Sequence, residues 1–163
     1  MKIGILSDSH GQLKCLQAAV GALQAAGAEA LVHCGDHGSV ECLAALAAPG
    51  LPCYTVAGNM DRSAEVLADA AKASGVCFDR RVVIVPLGDG RTLAAAHGND
   101  AALLRQLVSS GRHAYVCCGH AHKFSDQRAG PVRVINPGAL YHCRPYTVAV
   151  LDTATDELHV LTL

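Results

Sequence analysis

Short polar segments that directly follow apolar runs constrain the fold of this chain more than any other feature. An apolar run of about four to eight residues bounded by turn-forming residues is typical of a buried strand. A polar residue just after such a run lies at the carboxyl end of the strand, where open α/β sheets bind their ligands. The five segments are Asp8-Ser9-His10, Gly35-Asp36, Gly58-Asn59-Met60-Asp61, His97-Gly98-Asn99 and Gly119-His120-Ala121-His122.

Seven side chains in these segments can bind a metal ion through oxygen or imidazole nitrogen. Such ligands suit Mn, Fe, Zn, Co or Ni rather than an all-sulfur site. Each segment alone also has a common structural explanation, as a helix cap, a turn or a loop histidine. Because all of them fall at strand ends, we predict one site that holds two metal ions. The predicted ligands are Asp8, His10, Asp36, Asn59, His97, His120 and His122.

The first half of the chain alternates apolar strands with amphipathic helices, which predicts parallel strands joined by crossover helices. The predicted strands are 2–7, 30–34 and 52–57, and the predicted helices are 12–26, 39–48 and 63–74, with Ser39 as an N-cap. The second half has hairpin signals at 88–90, 129–130 and 152–156, with a helix at 101–110 and a strand at 115–118. We therefore expect one α/β domain over residues 1–163 whose second half is antiparallel.

Charge and cysteine content exclude several classes of protein. A formal net charge of -1 argues against a broad nucleic-acid surface, which needs clustered Lys and Arg. The eight cysteines lack a Cys-x-x-Cys pair, and most lie in or beside aliphatic runs, so we expect reduced thiols rather than disulfides. A strand pattern begins at once after Met1, and no apolar run approaches a membrane span. We therefore expect a cytoplasmic location and no membrane partner.

The ordered set Asp-x-His, Gly-Asp, Gly-Asn-x-Asp, His-Gly and Gly-His-x-His resembles the calcineurin-like metallophosphoesterase superfamily. The later Asn136-Pro137-Gly138, Arg144 and the strand pattern at 146–152 resemble its small YfcE-type phosphodiesterase branch. The resemblance spans essentially the whole chain. It implies an α/β fold, a four-layer α/β/β/α sandwich of two mixed sheets.

The resemblance also implies a dinuclear metal site and a reaction. Two divalent ions are expected, with Mn preferred and Ni, Zn, Fe or Co as alternatives, and Asp36 is expected to bridge them. A metal-activated water would then hydrolyse a small phosphodiester, and Asp36 and Asn59 would count as catalytic residues. The remaining ligands implied are Asp8, His10 and His122 for the first ion and Asn59, His97 and His120 for the second.

One position departs from the pattern of many superfamily members. They carry a histidine after the asparagine of the third motif, where this chain has Met60, which has no proton to donate. His37 is then the candidate proton donor to the leaving group, and Asp61 is expected to orient a ligand or a loop. Without a strong acid, esters with good leaving groups should react fastest. Arg62 and Arg144 are candidates for contacting the substrate phosphate.

Alternative functions stay open from the sequence. A phosphomonoesterase or a nuclease could use the same metals, although the near-neutral charge disfavours an extended nucleic acid. A non-catalytic scaffold of the retromer-subunit type shares the implied fold with a weakened metal site. The presence of all seven ligand types argues against such a degenerate site. The expected partners are a small phosphodiester and, as in relatives, a second copy of the chain in a homodimer.

Overall fold

A computed structural model describes residues 1–142 and 144–163, which form two mixed sheets with helices on the outside. The strands are β1 (Lys2–Leu6), β2 (Ala30–His33), β3 (Cys53–Val56), β4 (Cys77–Asp79), β5 (Val83–Pro86), β6 (Thr92–Ala95), β7 (Tyr115–Cys117), β8 (Ser125–Ala129), β9 (Val132–Asn136), β10 (Thr147–Asp152) and β11 (Glu157–Thr162). The helices are α1 (Leu13–Ala25), α2 (Val40–Ala47), α3 (Ala64–Ala73) and α4 (Ala101–Ser109). The four-layer sandwich predicted above is confirmed.

The first sheet has the strand order β11-β10-β1-β2-β3-β4. Strands β1 to β4 are parallel and are joined by α1, α2 and α3, as the alternation predicted. Ser39 caps α2 as expected, since its Oγ accepts a hydrogen bond from the Cys42 backbone N–H at 3.3 Å. Strand β4 was not predicted, because three residues with two exposed ends carry no periodic signal.

The second sheet has the strand order β5-β6-β7-β9-β8 and corrects one prediction. The expected hairpins β5–β6 and β8–β9 are present, as is β10–β11 in the first sheet. However, β6–β7 and β7–β9 are parallel pairs, so the second half is not wholly antiparallel. The β6–β7 pair is parallel because α4 joins these strands as a crossover, which returns the chain in the same direction. The β7–β9 pair is parallel because β8 lies beyond β9 at the sheet edge, so β9 rather than β8 pairs with β7.

Two apolar cores result from the alternation of side chains along the strands. Ile3 and Ile5 of β1 point into the core between the sheets, where they share a cluster with Leu93 of β6. Leu6 belongs instead to the core between the first sheet and helices α1 to α3, together with Leu23. Each of these side chains is fully buried, which stabilises the fold by roughly 1.5–3 kcal/mol per residue.

An ion cluster at the β10–β11 turn also joins the sheets. Asp156 of this turn accepts hydrogen bonds from Tyr115 Oη at 3.0 Å and from Arg133 Nη1 at 2.8 Å. Arg133 lies on β9 of the second sheet and also pairs with Asp126 on β8, with two hydrogen bonds of 2.8 Å. Arg128 is a further partner of Asp156. The first sheet is thereby fastened to three strands of the second.

Seven cysteines of the described residues are free thiols, and Cys143 lies outside those residues. Burial raises the pKa of the Cys34 and Cys117 thiols well above the usual value, which makes them unreactive. No helix within the two described ranges is both long and apolar enough to cross a membrane.

Candidate metal centre

Two buried carboxylates and a histidine form one half of the site, at the ends of β1 and β2. Asp8 is 0% exposed and Asp36 is 2% exposed. His10 Nε2 lies 3.8 Å from Asp8 Oδ1 and 3.4 Å from Asp36 Oδ2, so its ring stands between the carboxylates. His122, from the loop after β7, places Nε2 3.2 Å from Asp8 Oδ1 and 3.3 Å from His10 Nε2.

The other half of the site lies on the far side of Asp36. His97 Nε2, after β6, is 3.3 Å from Asp36 Oδ2 and 3.0 Å from Asn59 Oδ1. The ring of His120 stands edge-on to the ring of His97, with 5.2 Å between centroids. The structure thus brings all seven predicted ligands into one cluster, with Asp36 between the two halves.

Backbone strain is concentrated at the same residues. Five of the seven candidate ligands have a positive φ: Asp8 at 54°, His10 at 42°, Asp36 at 59°, His120 at 64° and His122 at 53°. Non-glycine residues in this region cost about 1–3 kcal/mol each and persist only where the surroundings hold them. Backbone hydrogen bonds supply part of that hold, from Asp8 N to Gly35 O at 3.0 Å and from His10 N to Asp36 O at 2.9 Å. Such strain is typical of functional sites.

Two glycines allow the loops to approach the carboxylates closely. A Cβ on Gly58 would lie 2.0 Å from Asp36 Oδ1, and a Cβ on Gly119 would lie 2.6 Å from Asp8 Oδ2. No side chain fits at either position without moving a carboxylate. The glycines of the Gly-Asn-x-Asp and Gly-His-x-His segments are therefore part of the geometry of the site.

One buried carboxylate oxygen at the centre lacks a donor, and this tests whether a cation fits. Asp8 Oδ1 is buried and has no hydrogen-bond partner among the residues that the structure describes, although His122 Nε2 is near it. An unpaired buried carboxylate oxygen is unfavourable by several kcal/mol unless a cation or donor meets it. His97 Nδ1 lies 2.8 Å from the Cys34 carbonyl oxygen, which fixes Nδ1 as the donor and leaves the Nε2 lone pair facing two oxygens. A divalent cation satisfies both arrangements.

The protonation states agree with this reading. Burial raises the pKa of Asp36, but hydrogen bonds from His97 and from the Met60 N–H, at 2.8 Å, outweigh it and lower that pKa. Burial lowers the pKa of His10, which favours the neutral imidazole that metals bind. Burial also opposes a proton on His97, yet hydrogen bonds to Asp36 and to the Cys34 carbonyl raise its pKa. A proton on His97 would place positive charge beside Asp36 Oδ2, 3.3 Å away, in the metal-free protein.

His37 does not lie in the cleft, so the structure does not favour it as the proton donor. Its ring is fully buried, with Nε2 2.7 Å from Thr55 Oγ1, and it stacks on His33 at 4.0 Å between centroids. Burial also lowers its pKa. A proton donor must come within hydrogen-bond reach of the leaving oxygen, which this buried position prevents. The sequence could not reveal this, because His37 lies in a loop with positive φ at Asp36, where no strand or helix period predicts which way a side chain points.

Asp61 has the orienting role that the sequence predicted. Its carboxylate accepts hydrogen bonds from three backbone N–H groups, those of His37 at 3.2 Å, Gly38 at 3.0 Å and Gly58 at 2.9 Å. These groups belong to the loops after β2 and β3, which carry Asp36 and Asn59. Asp61 therefore fixes one loop against the other.

A cleft of about 430 Å³ opens over the cluster. Met60, 48% exposed, forms part of its wall, and so does Tyr141, whose ring packs against His10 at 4.6 Å between centroids. Tyr141 was not predicted as a cleft residue, because no motif in the surrounding sequence distinguishes it from other tyrosines. The predicted phosphate contacts, Arg62 and Arg144, are exposed and line neighbouring hollows that border this cleft, one beside Met60 and the other beside Tyr141.

Comparisons with known proteins agree with the fold and the cluster. The sequence profile of the calcineurin-like phosphoesterase superfamily domain matches residues 1–156. The chain is 28% identical to phosphodiesterase MJ0936 of Methanocaldococcus jannaschii over an alignment 172 positions long, which covers 100% of this chain and 99% of that protein. A solved structure of an archaeal phosphodiesterase matches with a TM-score of 0.87 and 27% identity, over 100% of both chains. The phosphoesterase YfcE of E. coli matches in fold, with a TM-score of 0.66 and 18% identity, over 99% of this chain and 98% of that one.

The match over residues 1–156 covers nearly the whole chain, so the protein belongs to the calcineurin-like phosphoesterase superfamily. The resemblance inferred from the motif order is confirmed.

Proposed function

We propose that this protein hydrolyses small phosphodiesters with the help of two divalent cations held by the seven ligands. The observation that carries the proposal is the convergence of two buried carboxylates with imidazole nitrogens around an oxygen, Asp8 Oδ1, that has no hydrogen-bond donor among the described residues. The 28% identical relative is a phosphodiesterase, which supports the same class of substrate. Activity assays with phosphomonoesters and with nucleic acids test the two alternative substrate classes.

We assign the ligands in the order that the contacts suggest. Asp8, His10 and His122 lie within mutual reach and would hold one ion; Asp8, Asp36 and His97 form a second such trio, which shares Asp8 with the first. Asp36 and His97 would hold the other ion with Asn59 and His120, and Asp36 would face both ions. Mn is our preferred metal, with Ni, Zn, Fe or Co as alternatives.

The residues of the chain prepare the site in three ways. When bound, the two ions would supply an activated water and positive charge for the phosphoryl oxygens. Asp61 holds the loops of Asp36 and Asn59 together, and the Cys34 carbonyl sets the direction of the His97 ring. Met60 and Tyr141 line the cleft above the ligands, so a bound ester would pack against them.

Proton transfer to the leaving oxygen is the step for which the chain offers least. Met60 has no proton to give, and His37 is buried against Thr55. Rates should therefore fall steeply as the pKa of the leaving group rises. A flat dependence across a series of substituted phenyl esters would reveal an efficient acid and contradict this part of the proposal. Arg62 and Arg144 stay candidates for the substrate phosphate, and the homodimer and the cytoplasmic location stay predictions.

The decisive experiment removes the shared carboxylate. Asp36→Ala should lose both ions and lower kcat/KM for bis(4-nitrophenyl) phosphate by at least a thousandfold, because both halves of the site use Asp36. Asp152→Asn is the matched control and should keep its metal content, because the half-buried Asp152 carboxylate accepts a hydrogen bond from the Ala154 N–H and, among the described residues, contacts none of the seven ligands. Elemental analysis and rates with Mn, Ni, Zn and Mg should be measured on both. Full metal occupancy in Asp36→Ala would refute the assignment, and a metal-loaded wild type inert toward monoesters and diesters would refute the function.

A further inference from the structure

We propose that a second pocket, beside Asn59 and His97, binds an anionic group carried on an ester arm of the substrate. We call it the arginine pocket; Arg80, Arg81 and Asp100 line it together with Asn59 and His97. The inference rests on the proposed function and specifies its substrate class as a phosphodiester with a carboxylate or phosphate on an arm. The pocket adjoins the metal cluster directly, because Asn59 lines both it and the main cleft.

The size of the arginine pocket favours a small charged group. Its volume is about 190 Å³, against about 430 Å³ for the cleft over the ligands. Pockets that enclose a whole small molecule usually measure about 300–1,000 Å³. A terminal carboxylate or phosphate fits in the smaller space, while the rest of the arm and the phosphodiester itself lie toward the metals.

The local backbone is built to hold the two arginines at the pocket wall. Asp79 Oδ1 accepts hydrogen bonds from the N–H groups of Arg81 at 2.7 Å and Val82 at 2.9 Å, which fixes the turn after β4. This turn carries Arg80 and Arg81 to the pocket wall, and the loop after β6 lines the same pocket. Guanidinium groups bind carboxylates and phosphates with two parallel N–H donors, so this wall matches an anion.

Ion pairs occupy both arginines in the structure, but these pairs are easily exchanged. Arg81 Nη2 lies 3.1 Å from Asp100 Oδ2, and these side chains are 69% and 43% exposed. Arg80 pairs with Glu65, which is also well exposed and does not line the pocket. Exposed pairs of this kind contribute little, about 0–1 kcal/mol each. An incoming anion can therefore replace Asp100 at Arg81.

Asp100 has a second role that allows a clean test. Its Oδ1 accepts hydrogen bonds from the N–H groups of Ala102 at 3.1 Å and Leu103 at 3.0 Å, which cap α4. Asparagine is about as good a cap as aspartate. Asp100→Asn therefore keeps α4 capped while it removes the charge that competes for Arg81.

The experiment compares three symmetric substrates, so that either arm can enter the pocket. Bis(4-nitrophenyl) phosphate is uncharged on its arms, while the bis(4-carboxyphenyl) and bis(4-phosphonophenyl) esters carry a carboxylate or a phosphonate. Wild type, Arg81→Gln, Asp100→Asn and a control, Arg105→Gln, are assayed with each. Arg105 is exposed on α4 and does not line the pocket. Each variant is compared with wild type on the same substrate, which removes differences in leaving group.

Arg81→Gln should lower kcat/KM about tenfold for a charged substrate, at least five times more than for the uncharged one. Asp100→Asn should raise kcat/KM for the charged substrates two- to fivefold, and 0.5 M NaCl should reduce both effects. A response from only the carboxylate or only the phosphonate ester identifies the group that the pocket takes. Equal changes on all three substrates, or no change in either variant, would overturn the inference while leaving the hydrolytic function intact. A wild type inert toward all three would instead overturn the hydrolytic function itself.

Discussion

The close approach of Gly58 to Asp36 leads to a sharp prediction for Gly58→Ala. The new Cβ would lie 2.0 Å from Asp36 Oδ1 and 2.3 Å from Asp36 N, whereas real Cβ contacts essentially never fall below 3.0 Å. The φ of Gly58 is not in the left-handed region, so the effect is one of space alone. Asp36 must therefore retreat by about 1 Å, and its loop must shift with it.

A shift of this size exceeds what a metal site tolerates. Ligand distances in metal sites hold to within about 0.2 Å, and a misplacement of about 1 Å can lower a rate about a hundredfold. The retreat would also break the hydrogen bond from Met60 N to Asp36 Oδ1. We expect Gly58→Ala to lose at least one ion and at least a hundredfold in kcat/KM. Forcing extra atoms into a packed region costs about 1–3 kcal/mol, which lowers Tm by roughly 2–10 °C in a chain of this length.

Gly21→Ala is the matched control. Gly21 lies within α1, and a Cβ there would meet nothing within 4 Å. Alanine in a helix is favoured over glycine by about 0.5–1 kcal/mol, so Tm should rise by roughly 1–4 °C with activity unchanged. Thermal unfolding of metal-free samples, elemental analysis and hydrolysis of bis(4-nitrophenyl) phosphate measure all three effects. A Gly58→Ala protein with both ions and activity within threefold of wild type would refute the steric reasoning.

Three further perturbations follow from the contacts. Asp61→Asn should lower the affinity for metal about tenfold, because it weakens the charged hydrogen bonds between the two ligand loops. Calorimetric titration with metal measures this affinity, and an unchanged value would contradict the orienting role of Asp61. Arg133→Met should lower Tm at neutral pH. Because Arg133 depresses the pKa of Asp126, the Tm difference between wild type and variant should shrink as the pH falls below the unfolded Asp pKa of about 3.9. A Tm difference that is undiminished at pH 2.5 would show that Arg133 stabilises the fold by side-chain packing instead. Because the pKa of His97 is raised, metal binding should release a proton from it, and more protons should be released at pH 6 than at pH 8. Calorimetric titrations in buffers of different ionisation enthalpy measure the number of protons released. Equal release at both pH values would show that the proton does not come from His97.

The sequence predicted the ligand cluster because two independent regularities coincide. Apolar runs mark where strands end, and parallel strands bring those ends to one edge of a sheet. Asp8 and Asp36 follow β1 and β2, which are hydrogen-bonded neighbours, so their proximity was predictable. Gly58 and Gly119 are recognisable in the sequence as motif residues. The reason for glycine there, the close approach of a loop to a carboxylate, is evident only in the folded structure.

Features that depend on three-dimensional direction were not predictable. His37 is next to a ligand in sequence, yet its ring is buried against Thr55 and His33 instead of facing the cleft. Tyr141 reaches His10 across more than a hundred residues, and no local pattern marks such a contact. Strand β4 is too short to show a period, although it sets the turn that carries Arg81.

The origin of the ligands has a consequence for stability as well as for catalysis. Asp8, Asp36 and Asn59 follow strands of the first sheet, whereas His97, His120 and His122 follow strands of the second. With the proposed ligand assignment both halves of the site draw ligands from both sheets, so each ion would join the two sheets at the edge where β1, β2 and β6 end. The Asp156 cluster joins them elsewhere, through the turn between β10 and β11. Since the unfolded chain does not hold the ligands together, an ion at a hundred times its Kd stabilises the fold by about 2.7 kcal/mol. The free energy of metal binding would thus offset the strain of the positive-φ ligand residues. We therefore expect the fold to be most stable with its metal ions bound.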